Sequence, residues 1–157
     1  LMKSQELAKM AVCLWPKNTE DLKRFKEMTL NGVVIMGRLT WDDPNMPTPL
    51  TKRVNVLVTS KPRNLYPGAD QYISGNLIED IQNIFAKYKN KNIWVIGGAN
   101  LIDQIFNLID IFHITHIKGK YNCDKKLNLD RIKKNMQLIN SELSKDASCV
   151  FETWKRN

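Results

Sequence analysis

The sequence predicts an α/β domain with a central, mainly parallel sheet flanked by helices and an antiparallel strand at its C-terminal edge. Three observations lead there. Val33-Val34-Ile35-Met36 and Ile93-Trp94-Val95-Ile96 are unbroken apolar runs, as expected of strands buried on both faces. Segments with apolar residues at helical spacing alternate with these runs, which implies right-handed crossovers and helices on both faces of the sheet. The tail, Ser148 to Trp154, alternates as a strand does at the sheet's edge.

At 157 residues the chain suits one domain spanning 1–157, long enough to bury a sizeable core. No apolar run approaches the ~20 residues of a membrane span, and the first residues contain no secretory apolar region. Cys13, Cys123 and Cys149 are odd in number and far apart, which favours reduced thiols in a cytoplasmic protein. His113 and His116 lie three apart in an expected strand, so they face opposite ways and no metal site is expected. Twenty-four basic against sixteen acidic residues give a net charge of +8, which favours an anionic partner: a phosphorylated cofactor, a polycarboxylate substrate or nucleic acid. The lysines at 87, 89, 91, 118, 120, 125 and 126 have little aromatic interleaving and read mostly as a solvated basic surface, not a nucleic-acid site.

Each element follows in order. Residues 1–14 mix apolar ends with a polar Lys3-Ser4-Gln5-Glu6, fitting the end of a strand, a loop and a second apolar piece; Trp15-Pro16 interrupts the pattern. Thr19 suits an N-cap, Glu20 and Asp21 suit the first turn, and Leu22, Phe25 and Met28 recur at helical spacing, giving a helix over 20–29 that Asn31-Gly32 stops. Val33–Met36 is the next strand, left through Gly37 to Trp41, and residues 42–50 carry Pro44, Pro47 and Pro49 as a loop. Arg53 to Ser60 is a strand, ended by Lys61-Pro62. After turns at Pro67-Gly68 and Gly75-Asn76, a helix over 77–88 buries Leu77, Ile78, Ile81, Ile84, Phe85 and Tyr88. Ile93–Ile96 then turns through Gly97-Gly98 into a helix whose inner face is Leu101, Ile102, Ile105 and Phe106. Bare backbone N–H groups at such a turn suit a phosphate, although two glycines match neither the P-loop nor the dinucleotide fingerprint. Ile111 to Ile117 is the following strand. Ligands in such sheets sit beyond the carboxyl ends of the strands, near Asp21, Gly37, Arg38, Thr40, Thr59, Ser60 and Gly97-Gly98.

Over roughly residues 10–156 the chain resembles dihydrofolate reductase. Trp15-Pro16, Asp21-Leu22 and Phe25-Lys26 look like the family's helix bearing its essential acid. Val34-Ile35-Met36-Gly37-Arg38-Leu39-Thr40-Trp41 is similar to its strand and cofactor-phosphate turn, the most specific piece. Pro49-Leu50 with Arg53, then Thr59-Ser60-Lys61, resemble the substrate-side segment and the end of the next strand. Val95-Ile96-Gly97-Gly98 resembles the family's glycine pair, normally joined by a cis peptide; Thr115-His116-Ile117, Asp124 and Val150-Phe151-Glu152 match later strands and a loop.

The resemblance implies hydride transfer from NADPH to dihydrofolate in a monomer. Asp21 would hold the pteridine ring nitrogen and amino group, with Thr115 hydrogen-bonded behind it. Leu22, Phe25 and Leu50 would pack the rings, and Arg53 would take the glutamate α-carboxylate. Gly37, Arg38, Leu39, Thr40, Thr59, Ser60 and Lys61 would line the cofactor's phosphates. Ile96, Gly97, Gly98, Ala99, Asn100, Leu101 and Ile102 would flank nicotinamide and pyrophosphate. N5 of the substrate would be protonated through water. Opposing effects act on Asp21: a helix dipole supports its carboxylate by at most ~2 kcal/mol, whereas burial raises a carboxyl by up to ~3–5 pK units, so an apolar pocket leaves it raised.

The departure from the family is at the start. Only 14 residues precede Trp15, no glycine precedes Gly32, and Leu14-Trp15-Pro16 lacks the proline before tryptophan. The expectation is a trimmed or naturally short first strand and lid loop, with low turnover or an unusual closure. Ile102 stands where the family often has tyrosine. Two rival readings keep the fold: a pyrimidine reductase of the riboflavin pathway, which needs neither Arg53 nor Asp21, and a non-catalytic homologue acting in assembly or nucleic-acid binding.

Overall fold

A computed structural model describes residues 7–11, 19–44, 46–117 and 128–157, with backbone alone for 7–11 and 117. Trp15-Pro16, Asp124, Cys13 and Cys123, named above, lie outside the described residues, as do Lys118, Lys120, Lys125 and Lys126. The strands are β1 (Leu7–Ala11), β2 (Val33–Gly37), β3 (Val54–Val58), β4 (Gln71–Ile73), β5 (Ile93–Gly97), β6 (Ile111–Ile117), β7 (Met136–Leu143) and β8 (Cys149–Arg156). The helices are α1 (Thr19–Thr29), α2 (Arg38–Trp41), α3 (Leu77–Lys87), α4 (Ala99–Gln104) and α5 (Leu129–Asn135).

Among the described residues the eight strands form one sheet in the order β4-β3-β2-β5-β1-β6-β8-β7. The pairs from β4 through β6 are parallel, and β8 runs antiparallel to both β6 and β7. The expected antiparallel end is present with one strand more than expected, since β7 lies outside β8 and takes the edge. The N-terminal strand is also more central than its mixed composition suggests: β1 pairs with β5 on one side and β6 on the other.

The apolar runs explain why β2, β3 and β5 sit in the middle. Val33 to Met36 are 0% exposed, and Ile93 to Ile96 at most 4%, because each strand is covered on both faces. On one face Val33, Ile35, Val56, Val95, Phe112 and Ile114 pack with Ile81 and Ile84 of α3, Leu101 and Ile102 of α4, and Ile132 of α5. On the other, Val34, Met36, Leu57, Trp94 and Ile96 pack with Phe25 of α1, Trp41, Met46 and Leu50.

Helix limits follow the expected chemistry within a residue or two. Helix α1 opens at Thr19 itself and carries Glu20 and Asp21 in its first turn. Helix α3 is capped by Asn76, whose side chain accepts from the Glu79 N–H. Leu77, Phe85 and Tyr88 are only partly buried and Ile78 is exposed, so the inner stripe of α3 is narrower than expected. Helix α5 has the same device, Asn128 accepting from the Arg131 N–H.

Candidate active site

The acid predicted on α1 is buried. Asp21 is 1% exposed, one turn before the buried ring of Phe25, with Leu22 half-buried beside it. Burial raises its pKa above the ordinary carboxyl value; the Thr115 hydroxyl, which hydrogen-bonds it, and the charge of Arg24 act the other way without cancelling the effect. Thr115 stands on β6, itself 6% exposed. The fold thus brings Asp21 beside Thr115, 94 residues further along the chain (115 − 21).

Arg53, just ahead of β3, points back toward the end of α1. Its Nη1 donates to Thr29 Oγ1 at 3.0 Å and its Nε to the Thr51 carbonyl at 3.0 Å, and its guanidinium lies 6.0 Å from the Phe25 ring centre. Burial lowers its pKa, yet an arginine remains charged at neutral pH. A guanidinium has five N–H donors, so two such bonds fix its plane and leave others to grip a carboxylate. Leu50, 2% exposed, is clamped from behind: Asn55 Oδ1 accepts from the Leu50 N–H at 2.8 Å and its Nδ2 donates to the Leu50 carbonyl at 2.9 Å. Asn55 was not singled out by sequence. A polar residue at the second position of an apolar strand was the available signal.

The second half of the site lies at the carboxyl ends of β2, β3 and β5. Gly37 ends β2 and Gly97 ends β5, and a register shift between Ile35 and Met36 sets Gly97 opposite Met36, one residue before Gly37. The Gly97–Gly98 peptide is cis, as the resemblance implied. Gly97 has φ +134°, where a side chain is strained, and a Cβ there would lie 3.1 Å from Thr40 Oγ1. A Cβ on Gly37 would meet the Gly97 carbonyl and the Gly98 nitrogen at 3.8 Å, so the two glycine turns adjoin. Arg38 is half-buried and lies 3.8 Å from Asp42; Leu39 is 74% exposed, and Thr40 is half-buried. Thr59 is buried and accepts from the Lys61 N–H at 3.1 Å, which shapes the turn presenting Ser60 and Lys61 to solvent.

This half fits a phosphorylated cofactor. Two adjoining glycine turns leave backbone uncovered, and two cations and two hydroxyls, Arg38, Lys61, Thr40 and Ser60, stand on the same sheet edge. Of the remaining expected residues, Ala99 is half-buried and Asn100 exposed at the start of α4. Ile96 is buried under the α1 face, and Leu101 and Ile102 are packed into the apolar core on the opposite face. The two histidines do face opposite ways: His113 contacts Trp94 and Thr153, and His116 pairs with Glu152 at 2.7 Å. Among the described residues no cluster of His, Cys, Asp or Glu could hold a metal ion, and no helix is long and apolar enough to cross a membrane.

Comparison with known proteins places this geometry. The family model described as dihydrofolate reductase matches residues 12–156. Dihydrofolate reductase of Ureaplasma parvum is 30% identical over 111 residues, 71% of this chain and 67% of that protein. That of Bacillus subtilis is 30% identical over 122 residues, 78% of this chain and 68% of that protein. A solved structure, dihydrofolate reductase from Enterococcus faecalis complexed with NADP(H) and RAB-propyl, superposes with a TM-score of 0.74 at 21% identity, covering 98% of each chain.

Proposed function

The chain belongs to the dihydrofolate reductase family, and we propose from that premise how its own residues carry out the NADPH-dependent reduction of 7,8-dihydrofolate to 5,6,7,8-tetrahydrofolate. Bound NADPH supplies the hydride. Arg38, Thr40, Ser60 and Lys61 hold its phosphates, and the adjoining glycine turns at Gly37 and Gly97-Gly98 let it approach the backbone, with Leu39, Ala99 and Asn100 beside it and Thr59, Ile96, Leu101 and Ile102 packed behind.

The protein's contribution is mostly positioning. Asp21 accepts the pterin's ring N–H and amino group, a two-point contact that fixes the ring plane, while Thr115 fixes the rotamer of Asp21. Leu22, Phe25 and Leu50 form the apolar walls that keep water from the rings. Arg53, its plane set by Thr29 and Thr51, takes the α-carboxylate of the glutamate tail. We also infer a monomer of one domain over 1–157, acting in the cytoplasm.

The observation that carries this reading is Asp21, an ionisable side chain 1% exposed and hydrogen-bonded by Thr115, its pKa raised by burial. A buried acid with a raised pKa is costly to the fold and marks a functional site. The test is loss of NADPH absorbance on adding dihydrofolate, repeated with Asp21→Asn. A fall of at least about 100-fold in kcat/KM is expected; undiminished activity removes Asp21 from the mechanism. Absence of activity in the unaltered chain favours the non-catalytic homologue.

A further inference from the structure

Beneath α1, three strands present a row of side chains at one level. Thr115 of β6 is opposite Phe151 of β8, and Phe151 is opposite Glu142 of β7. Directly paired residues on one face have Cβ atoms within about 5.5 Å, so the row is continuous. Helix α1 crosses it with Asp21 and Arg24, which are three apart and therefore neighbours on one helix face. Asp21 takes Thr115. Arg24 takes the rest of the row: its Nη1 donates to Glu142 Oε1 at 2.7 Å, and its guanidinium carbon lies 4.3 Å from the centre of the Phe151 ring.

Both contacts engage the Arg24 guanidinium, and its side chain is only 22% exposed. Glu142 is 54% exposed, so water screens its charge, whereas Asp21 is shut away from solvent. His113, on the same face as Thr115, does not compete as a cation at neutral pH: burial and the Arg24 charge push its pKa down to about 4. Its Nδ1 is 3.2 Å from Thr153 Oγ1 and its ring is 5.5 Å from that of Trp94. The clamped guanidinium is thus a fixed positive charge on α1 that acts on Asp21 against its burial, alongside the Thr115 hydroxyl.

We propose that Arg24 is a positioning residue for the reaction: clamped between Glu142 and the face of Phe151, its fixed charge holds Asp21 in the ionised form that accepts the substrate's ring N–H and amino group. This rests on the reading of Asp21 as the substrate's partner. The cation does not touch the substrate. It opposes the burial of the acid, so that the acid stays buried and still ionises within the working pH range.

The test reads Asp21 directly in the substrate-free chain, by titrating its carboxyl carbon in protein labelled at aspartate and identifying its signal by its loss in Asp21→Asn. In Arg24→Met the midpoint rises by about one pH unit, and Arg24→Lys, which keeps the charge, restores most of it. In Glu142→Gln the midpoint also rises, by less, because the clamp is loosened. That direction is diagnostic, since removing an anion would by itself lower the midpoint. An unmoved midpoint in Arg24→Met, or a fall in Glu142→Gln, overturns the proposal. Glu142 lies on an exposed strand, so its variant carries the test even if Arg24→Met does not fold. The pH profile of kcat/KM moves with the midpoint; a moving midpoint without NADPH-dependent reduction leaves the clamp standing and rejects the assignment of substrate.

Discussion

The two faces of the sheet differ in what they bury. Under α3, α4 and α5 the core is entirely aliphatic or aromatic, with Ile81, Ile93, Ile105, Ile109 and Phe112 at 0% exposure. Under α1 the apolar cluster is interrupted by Asp21, Thr29, Asn55, Thr59, Thr115 and Thr153, each under 10% exposed. Packing of the first kind is what holds a sheet together. The second gives up some of that packing to place hydrogen-bonding groups where water is excluded. On the proposed reading one layer stabilises and the other performs chemistry, and the same strands serve both because successive side chains point opposite ways.

Phe112→Ala strikes the stabilising face and should lower the unfolding free energy by about 3–5 kcal/mol, measured by chemical denaturation, with KM for dihydrofolate unchanged. Asp21→Asn should do the reverse. Because burial raises the folded pKa of Asp21, the unfolded chain ionises first as pH rises, and the native state is penalised at neutral pH but not below the unfolded value. The asparagine variant should therefore be as stable as the parent or more so at pH 7, with the difference vanishing near pH 3. Equal destabilisation by the two substitutions would break the division between the faces.

His113 sharpens it further. With its pKa lowered to about 4 in the fold, the unfolded chain takes up a proton before the native state does as pH falls from 6.5. Stability should fall across that window by up to about 3 kcal/mol, and His113→Leu should flatten this loss in denaturation curves taken at pH 7 and pH 4.5. A parent whose stability is level over that range would show that the imidazole is not shielded. Smallest is Arg53→Lys, which keeps the charge but loses the fork: KM for dihydrofolate should rise about tenfold, ~1.4 kcal/mol, with kcat little changed. An equal fall in kcat would place Arg53 in the chemical step.

The elements that could be read from sequence are those whose pattern records burial. Strands β2, β3 and β5 are apolar runs because both faces are covered, and α1 and α3 show helical spacing because one face is. Strand β7 went unread for the complementary reason: Gln137 to Leu143 are all exposed at the edge, so the segment Met136–Leu143 alternates with nothing. At three residues β4 is too short for a pattern, and α5 had a signal, the Asn128 cap, that was not used. In the site, Asp21, Thr115 and Arg53 were nominated by resemblance more than by their own chemistry, since a first-turn acid, a strand threonine and a strand arginine are each ordinary. Arg24 and Asn55 were missed because their partners, Glu142 and Phe151 for one and the Leu50 backbone for the other, become neighbours only through tertiary pairing.

The place of β1 has a consequence for how the chain is made. Its neighbours in the sheet are β5 and β6, so β1 must wait for Gly97 to leave the ribosome before it has a strand to join, and for Ile117 before it has both. Until then β2, β3 and β4 can assemble among themselves, but the middle of the sheet stays open, with apolar edges that invite association with other chains. The middle of the sheet thus closes only through this long-range pairing, and ribosome-bound chains halted before β5 should resist protease in the β2–β4 unit alone.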